Sequence, residues 1–167
     1  MFQRFYPGEE CRSAYEIDYQ AKYREGLRGV IFDIDNTLVP HGAPADAQAK
    51  ELFETLRRIG LKTCLISNNQ EPRVRPFAEE VGSPFVCNAH KPSVKNYRRA
   101  CGIMHTDPAH TLFVGDQLFT DVFGANRAGI PSCLVRPIHP KEEIQIVLKR
   151  YLERIVLYFY HRKSGKR

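Results

Sequence analysis

Short apolar segments alternate with helical patterns from about residue 29 onward, and this alternation constrains the fold more than any other feature of the sequence. Strands that are separated by helices need crossover connections, so they form a parallel sheet that helices cover on both faces. The pattern therefore predicts an α/β fold, a three-layer α/β/α sandwich around a mostly parallel, five-stranded, Rossmann-like sheet. The predicted strands are 30–32, 63–66, 84–87, 111–114 and 133–135.

The segments on either side of the sandwich have a different character from the sandwich itself, which occupies residues 29–138. Residues 1–28 are rich in aromatic side chains and have no clear place in the alternation. Residues 139–167 combine an amphipathic helical pattern with a basic end. We predict an N-terminal extension, one domain built on the sheet, and a C-terminal amphipathic helix with a basic tail.

The composition favours a folded protein of the cytoplasm. With 43% hydrophobic and 26% charged residues, the 167-residue chain is typical of globular proteins and suits one domain. Its apolar runs fall short of the roughly 18 to 20 residues that a membrane span needs, and residues 1–12 lack the apolar core of a signal peptide. Five cysteines without a C-x-x-C pair indicate buried, reduced thiols rather than disulfides or a zinc site.

Polar clusters follow four of the predicted strands at the points where those strands end. Ligands of open α/β sheets bind outside the carboxyl ends of the strands, so the clusters are candidates for one shared site. The clusters contain, in chain order, Asp33, Asp35 and Thr37, then Ser67 and Asn68, then Lys91, and finally Gly115 and Asp116, with Asp121 one helical turn further on.

These residue types suit a phosphoryl group held beside a divalent cation. Asp33 and Asp35 are two apart on extended chain, so their side chains begin on the same face, and burying both unpaired costs several kcal/mol. A divalent cation relieves this repulsion, and Asp116 supplies a third carboxylate from another strand. An all-oxygen ligand set favours Mg²⁺ over zinc. Lys91 and Ser67 would then contact the phosphoryl oxygens.

The combined pattern resembles the haloacid dehalogenase superfamily of phosphohydrolases over residues 29–136. Two strings, Asp-Asn-Thr-Leu-Val and Gly-Asp-Gln-x-x-Thr-Asp, are most similar to the small IIIA-type phosphatases of bacteria. Relatives of that group in mitochondria and plastids dephosphorylate phosphatidylglycerophosphate. All four superfamily motifs are intact, namely Asp33-x-Asp35-x-Thr37, Ser67, Lys91, and Gly115-Asp116 with Asp121.

The resemblance implies a role for each motif residue. Asp33 would be the nucleophile that forms an aspartyl-phosphate, and Asp35 would be the general acid and base. The ordinary aspartate pKa of about 3.9 would leave Asp33 ionised at neutral pH without help. The implied cofactor is Mg²⁺, bound by the carboxylates of Asp33 and Asp116 and the backbone carbonyl of Asp35, with Asp121 in support. The implied phosphate-binding residues are Thr37, Ser67, Asn68 and Lys91, of which Ser67 and Lys91 also belong to the catalytic set.

The spacing of the motifs leaves no room for a cap domain over the site. About 30 residues separate Asp35 from Ser67, fewer separate Ser67 from Lys91, and predicted helices and strands fill most of both gaps. An open site suits a large substrate, and the resemblance favours phosphatidylglycerophosphate. A phosphatase for a soluble nucleotide, sugar phosphate or phosphoprotein is the alternative. A non-catalytic binding protein on the same fold is an alternative of another class.

The C-terminal segment bears on the choice of substrate. Its stripe of apolar residues indicates either a last helix packed on the sheet or an interfacial helix on an anionic lipid surface. The basic tail carries four of the six net positive charges, so the body is nearly neutral and shows no clear basic stripe for nucleic acid. A peripheral position on the inner face of a membrane and a homo-oligomer both stay open. The stripe contains Ile144, Leu148, Tyr151, Ile155 and Tyr158, and the tail contains Arg162, Lys163, Lys166 and Arg167.

Overall fold

The computed structural model describes residues 2–139 and 144–165, and within them it contains the parallel sheet that the sequence predicts. Six strands are present, namely β1 Glu9–Cys11, β2 Gly29–Phe32, β3 Lys62–Ile66, β4 Phe85–Val86, β5 Thr111–Gly115 and β6 Ser132–Val135. Their order across the sheet is β1-β6-β5-β2-β3-β4, and every neighbouring pair is parallel.

Helices connect the strands and cover the sheet. The described residues form the α-helices α1 Tyr19–Arg24, α2 Ala47–Ile59, α3 Glu71–Val81, α4 Val94–Met104, α5 Phe123–Ala128 and α6 Ile144–Ser164. A π-helical turn, Leu118–Val122, directly precedes α5. Only α2 lies between β2 and β3, and only α3 and β4 lie between Ser67 and Lys91, so the absence of a cap domain is confirmed within residues 2–139.

The predicted number of five strands is wrong by one because β1 comes from residues 1–28, which show no strand pattern in the sequence. Glu9 of β1 lies opposite Cys133 of β6, which puts β1 at the edge of the sheet. Edge strands are often short and charged, and β1 has three residues of which two are glutamates. Such a strand has no apolar run that sequence patterns can identify.

Helices bury both faces of the sheet, and alternate residues of each strand point into the two different layers. Phe32 of β2 packs against Phe53 of α2, with ring centroids 5.3 Å apart. Ile31, the residue before it, lies in the opposite layer with Tyr97 of α4. This double burial explains why the strands are continuous apolar runs in the sequence.

The helix α6 packs on the sandwich with a face other than the predicted stripe. Val156 and Tyr160 are buried, and Val156 lies in a cluster with Leu118 and Val122. The described members of the stripe are all at least 44% exposed, namely Leu148, Tyr151, Ile155 and Tyr158.

Part of the predicted C-terminal pattern lies outside the described residues, namely the side chain of Ile144 and the residues Lys166 and Arg167. Among the described residues, no helix combines the length and the apolar character that crossing a membrane requires.

Gly124 of α5 lies so close to Tyr97 that a larger residue should destabilise the fold. A Cβ at this position would lie 2.3 Å from the Tyr97 hydroxyl oxygen, and that hydroxyl donates a 2.7 Å hydrogen bond to the Thr120 carbonyl oxygen. We expect Gly124→Ala to reduce the free energy of unfolding by about 1–3 kcal/mol, measured by urea denaturation.

Gly102 of α4 provides the control, because a Cβ there would have nothing within 4 Å. Gly102→Ala should increase the free energy of unfolding by about 0.5–1 kcal/mol through the lower entropy of the unfolded chain. A similar effect of both substitutions would contradict the packing explanation.

Candidate active site

The ends of three neighbouring strands bring the predicted site residues to one edge of the sheet. The strand β2 pairs with β3 on one side and with β5 on the other, and Phe32 lies opposite Val114. The residues that follow these strands, Asp33, Ser67 and Asp116, therefore lie side by side. Parallel strands point their carboxyl ends the same way, and this is where such sheets bind ligands.

A buried acidic triad, Asp33, Asp116 and Asp121, forms the centre of the site. One oxygen from each carboxylate lies within 4.8 Å of the other two. The π-helical turn directs Asp121 back toward β5, where its Oδ2 accepts a 3.0 Å hydrogen bond from the Gln117 N–H. A Cβ on Gly115 would lie 2.4 Å from the same oxygen, so only glycine lets Asp121 approach the strand this closely.

The side chain of Lys91 joins two members of the acidic triad. Its Nζ donates one hydrogen bond of 2.6 Å to Asp33 Oδ1 and another of 2.6 Å to Asp121 Oδ1, and the side chain is 4% exposed. Burial alone lowers the pKa of Lys91, but the two carboxylates raise it above its ordinary value. Lys91 is therefore charged at neutral pH and neutralises one of the three carboxylates.

The acidic triad remains short of positive charge. Burial raises the pKa of Asp33 well above its ordinary value, Lys91 opposes this rise, and Asp121 and Asp116 add to it. Burial and the Asp121 carboxylate raise the pKa of Asp116 to about 6. The ordinary aspartate pKa therefore does not describe Asp33, and a further cation beside the acidic triad would lower the pKa of this carboxyl.

The hydroxyl of Thr37 lies between two members of the acidic triad. Its Oγ1 is 3.2 Å from Asp116 Oδ1 and 3.4 Å from Asp33 Oδ2. A hydroxyl has one proton, so it donates to one carboxylate at a time. In the structure Thr37 therefore positions carboxylates, although the resemblance implies a contact with phosphate.

The residues after β3 hold the loop that carries Lys91. Asn68 Oδ1 accepts a 2.7 Å hydrogen bond from the Lys91 N–H, and Ser67 Oγ accepts one of 3.1 Å from the Asn69 N–H. The hydroxyl proton of Ser67 has no acceptor among residues 2–139 and 144–165, so it is available to a phosphate oxygen.

Asp35 is held by a separate set of donors. Its Oδ2 accepts a 2.6 Å hydrogen bond from Asn69 Nδ2, and its Oδ1 accepts bonds from Arg73 Nη2 at 2.9 Å and the Gly42 N–H at 2.8 Å. The chain can turn after Asp35 because Asn36 takes a left-handed conformation with φ of 62°. The structure thus orients the Asp35 carboxylate independently of the acidic triad.

The helix α6 contributes a cation that the sequence analysis did not identify. Arg150 donates from Nη2 to Asp116 Oδ2 and from Nη1 to the Asp116 carbonyl oxygen. It also donates to Glu153 Oε2 at 3.1 Å, and Glu153 Oε1 accepts a 2.8 Å hydrogen bond from the Leu118 N–H. Burial raises the pKa of Glu153, and Arg150 opposes this rise.

Sequence reasoning missed four residues of the site, namely Asn69, Arg73, Arg150 and Glu153. Asn69 directly follows Ser67 and Asn68 at a strand end, and this position was the one signal that could have identified it. The other three lie in helices, where a charged residue usually faces solvent, so nothing in the local pattern separates them from surface residues.

The donor set and its charge fit a magnesium ion. Carboxylate oxygens are the hard ligands that Mg²⁺ prefers, and the acidic triad has three carboxylates within reach of one ion. The three carboxylates, the Lys91 ammonium and the Arg150 guanidinium have a formal charge of minus one, so the site still attracts a cation. The carboxylates of Asp33, Asp116 and Asp121 would hold Mg²⁺, and the ion would compete with Arg150 for the Asp116 carboxylate.

Comparisons with known proteins agree with this chemistry. A family model described as haloacid dehalogenase-like hydrolase matches residues 44–129. The probable phosphatase YqeG of Bacillus subtilis (strain 168) is 35% identical over 166 residues, which cover 98% of this chain and 96% of YqeG. Phosphatidylglycerophosphate phosphatase 1, chloroplastic/mitochondrial, of Arabidopsis thaliana is 26% identical over 161 residues, which cover 90% of this chain but 46% of the plant protein.

Solved structures of low sequence identity share the fold. A HAD phosphatase from Thermococcus onnurineus superposes with a TM-score of 0.56 at 16% identity, covering 71% of this chain and 90% of that protein. The cobalt-bound deoxy-D-mannose-octulosonate 8-phosphate phosphatase of Haemophilus influenzae superposes with a TM-score of 0.53 at 14% identity, covering 65% and 68% of the two chains.

Removing the guanidinium of Arg150 should strengthen Mg²⁺ binding, because this group and the ion would compete for the Asp116 carboxylate. We expect Arg150→Gln to lower the Mg²⁺ dissociation constant by about threefold to tenfold, measured by calorimetric titration of the metal-free protein. Without Mg²⁺ the variant should melt at a lower temperature, since the buried Asp116 carboxylate has lost a cation.

Lys149→Gln is the matched control, because the neighbouring Lys149 is exposed and the substitution removes the same charge. It should leave both measurements near their wild-type values. Weaker Mg²⁺ binding by Arg150→Gln would show that the arginine supports the metal site instead of competing with the ion.

Proposed function

The chain belongs to the haloacid dehalogenase-like hydrolases, and we propose that it hydrolyses a phosphomonoester with Mg²⁺ as cofactor and Asp33 as nucleophile. The family match and the relationship to YqeG establish the general activity, that of a phosphatase for phosphoric monoesters. The observation that carries the proposed mechanism is the buried 2.6 Å contact between Lys91 Nζ and Asp33 Oδ1. It holds a carboxylate and a cation together at the place where a phosphate would bind.

In the proposed first step, a carboxylate oxygen of Asp33 attacks phosphorus while the bond from phosphorus to the leaving oxygen breaks. Asp35, protonated at the start, gives its proton to the leaving oxygen, so the alcohol departs neutral. Lys91 and the Ser67 hydroxyl donate hydrogen bonds to the phosphoryl oxygens. The products are an aspartyl-phosphate on Asp33, the free alcohol and an ionised Asp35.

In the proposed second step, Asp35 takes a proton from water as the water oxygen attacks phosphorus. The bond between phosphorus and the Asp33 oxygen breaks, inorganic phosphate leaves, and Asp35 is protonated again for the next cycle. The donors Asn69 and Arg73 keep the Asp35 carboxylate in one orientation. When bound by Asp33 and Asp116, Mg²⁺ supplies charge neutralisation for the phosphoryl group.

We propose phosphatidylglycerophosphate as the favoured substrate, which would place the enzyme in phosphatidylglycerol synthesis. The plant relative named as a phosphatase for this lipid supports the proposal, although this chain spans 46% of that protein's length. The lack of a cap among residues 2–139 also supports it, because a site without a cap can admit a headgroup at a membrane surface.

The exposed face of α6 is a second source of support for a lipid substrate. Tyr151 and Tyr158 on this face are 64% and 58% exposed, and Arg162 and Lys163 at the end of the helix are exposed cations. Aromatic side chains beside basic ones suit the interface of a membrane with anionic lipids. We propose that this face of α6 rests on the lipid surface and brings the site to its substrate.

A soluble nucleotide, sugar phosphate or phosphoprotein is the second candidate for the substrate. The structural neighbour from Haemophilus influenzae acts on a sugar phosphate according to its name, but at 14% identity this likeness concerns the fold alone. The soluble and lipid candidates share the same reaction and differ only in what binds beside the acidic triad.

Replacing the nucleophile should abolish turnover and leave the protein folded. The amide that Asp33→Asn introduces cannot form a stable acyl-phosphate, so we expect this substitution to lower phosphate release from an aryl phosphate at least about 1,000-fold. The circular dichroism spectrum of the variant should match that of the wild type, because Lys91 keeps its contact with Asp121.

The exposed, remote Asp107 provides the control, and Asp107→Asn should retain wild-type activity. Retention of more than a few per cent of activity by a clean preparation of Asp33→Asn would exclude Asp33 as the nucleophile.

A panel of substrates separates the lipid from the soluble candidates. We expect vesicles that contain phosphatidylglycerophosphate to give a higher kcat/KM for phosphate release than a nucleoside monophosphate, a sugar phosphate or a phosphopeptide. The Asp33→Asn protein serves as the blank. If the vesicles release no phosphate while a soluble phosphomonoester is hydrolysed well, the lipid assignment is wrong.

A further inference from the structure

A cavity of about 700 Å³ opens beside the acidic triad, at the carboxyl ends of β1 and β6. Asp116 belongs to its wall, and so do Arg150 and Glu153 of α6. Of the residues that line this cavity, only Asp116 takes part in the proposed mechanism, so the cavity has no role in that chemistry.

The walls of the cavity carry more positive than negative groups. Its acidic side chains have partners, since Glu10 Oε2 lies 2.7 Å from His161 Nε2 and Arg150 contacts both Asp116 and Glu153. Three further arginines line the cavity, are exposed, and make no ion pair with a carboxylate in residues 2–139 and 144–165, namely Arg12, Arg136 and Arg154.

The cavity is also connected to the loop that carries the nucleophile. The Ile138 N–H donates a 3.0 Å hydrogen bond to the Asn36 carbonyl oxygen, which ties the segment after β6 to the turn that follows Asp33 and Asp35. Arg136 is two residues from this tie. The cavity therefore borders the site twice, through Asp116 in its wall and through this tie to the loop of Asp33.

We propose that this cavity binds a second anionic group of the substrate, a phosphodiester joined to the scissile phosphomonoester by a short carbon bridge. Arg136 and Arg154 are its main ligands, and Arg12 adds positive charge at the rim. A guanidinium can give two parallel hydrogen bonds to a phosphate, which makes arginine suited to this group. This inference rests on the proposed function, and it names the feature by which the enzyme would distinguish its substrate from simple phosphomonoesters.

Two soluble compounds isolate the contribution of the phosphodiester. Deacylated phosphatidylglycerophosphate and glycerol 3-phosphate carry the same scissile group, but only the first has a phosphodiester, and neither has acyl chains. The measured quantity is the ratio of kcat/KM for the first compound to kcat/KM for the second. We expect the double variant Arg136→Gln/Arg154→Gln to lower this ratio at least about tenfold, mainly through KM for the first compound.

The double variant Arg24→Gln/Arg98→Gln is the matched control, because both residues are exposed, neither lines the cavity, and the charge removed is the same. It should leave the ratio at its wild-type value. A ratio that changes less than twofold in Arg136→Gln/Arg154→Gln would overturn the cavity assignment. Continued hydrolysis of the lipid in that case would show that the proposed function still holds.

A binding measurement separates the cavity assignment from the choice of substrate. Glycerophosphoglycerol has the phosphodiester but no phosphomonoester, and we expect it to bind the wild-type protein and to bind Arg136→Gln/Arg154→Gln at least about tenfold more weakly in a calorimetric titration. If it binds in this way while phosphatidylglycerophosphate is not hydrolysed, the cavity assignment stands and the lipid substrate fails. If it binds both proteins equally or neither protein, the cavity assignment is wrong.

Discussion

The contact of one buried ammonium with two buried carboxylates underlies the whole site. Lys91 lies between Asp33 and Asp121, and without it three buried carboxylates within 4.8 Å of one another would repel. Neighbouring residues make this contact possible. Gly115 admits Asp121 to the strand, and Asn68 fixes the backbone of Lys91. The site is therefore a balance of buried charges held by a rigid sheet.

The helix α6 extends this balance to the outer surface of the molecule. Through Arg150 it reaches Asp116, and on the same helix Arg154 lines the cationic cavity while Tyr151 and Tyr158 face outward. Metal binding at the acidic triad, ligand binding in the cavity and contact with a lipid surface would thus all act on one helix.

Most of the fold and the centre of the site could be predicted from the sequence. The five strands from 29 to 135 have apolar runs because both faces of the sheet are buried. Ligands of such sheets bind at the carboxyl ends of the strands, so the sequence already indicated that Asp33, Ser67 and Asp116 lie together. The edge strand β1 could not be predicted, because two of its three residues are glutamates. The outward direction of the α6 stripe could not be predicted either, because an apolar stripe can pack on the sheet or face another surface.

The sequence by itself determined the reaction class, because the residue types at successive strand ends are set by the chemistry of phosphoryl transfer and appear in a fixed order along the chain. The tertiary structure decided which groups surround that chemistry. Arg73 orients Asp35, Arg150 contacts Asp116, and Arg136 and Arg154 line the cavity, although long stretches of chain separate these partners. Local patterns report the neighbours that a residue has along one helix or strand. The charge balance of a buried site depends on neighbours that only the packing of helices on the sheet brings together.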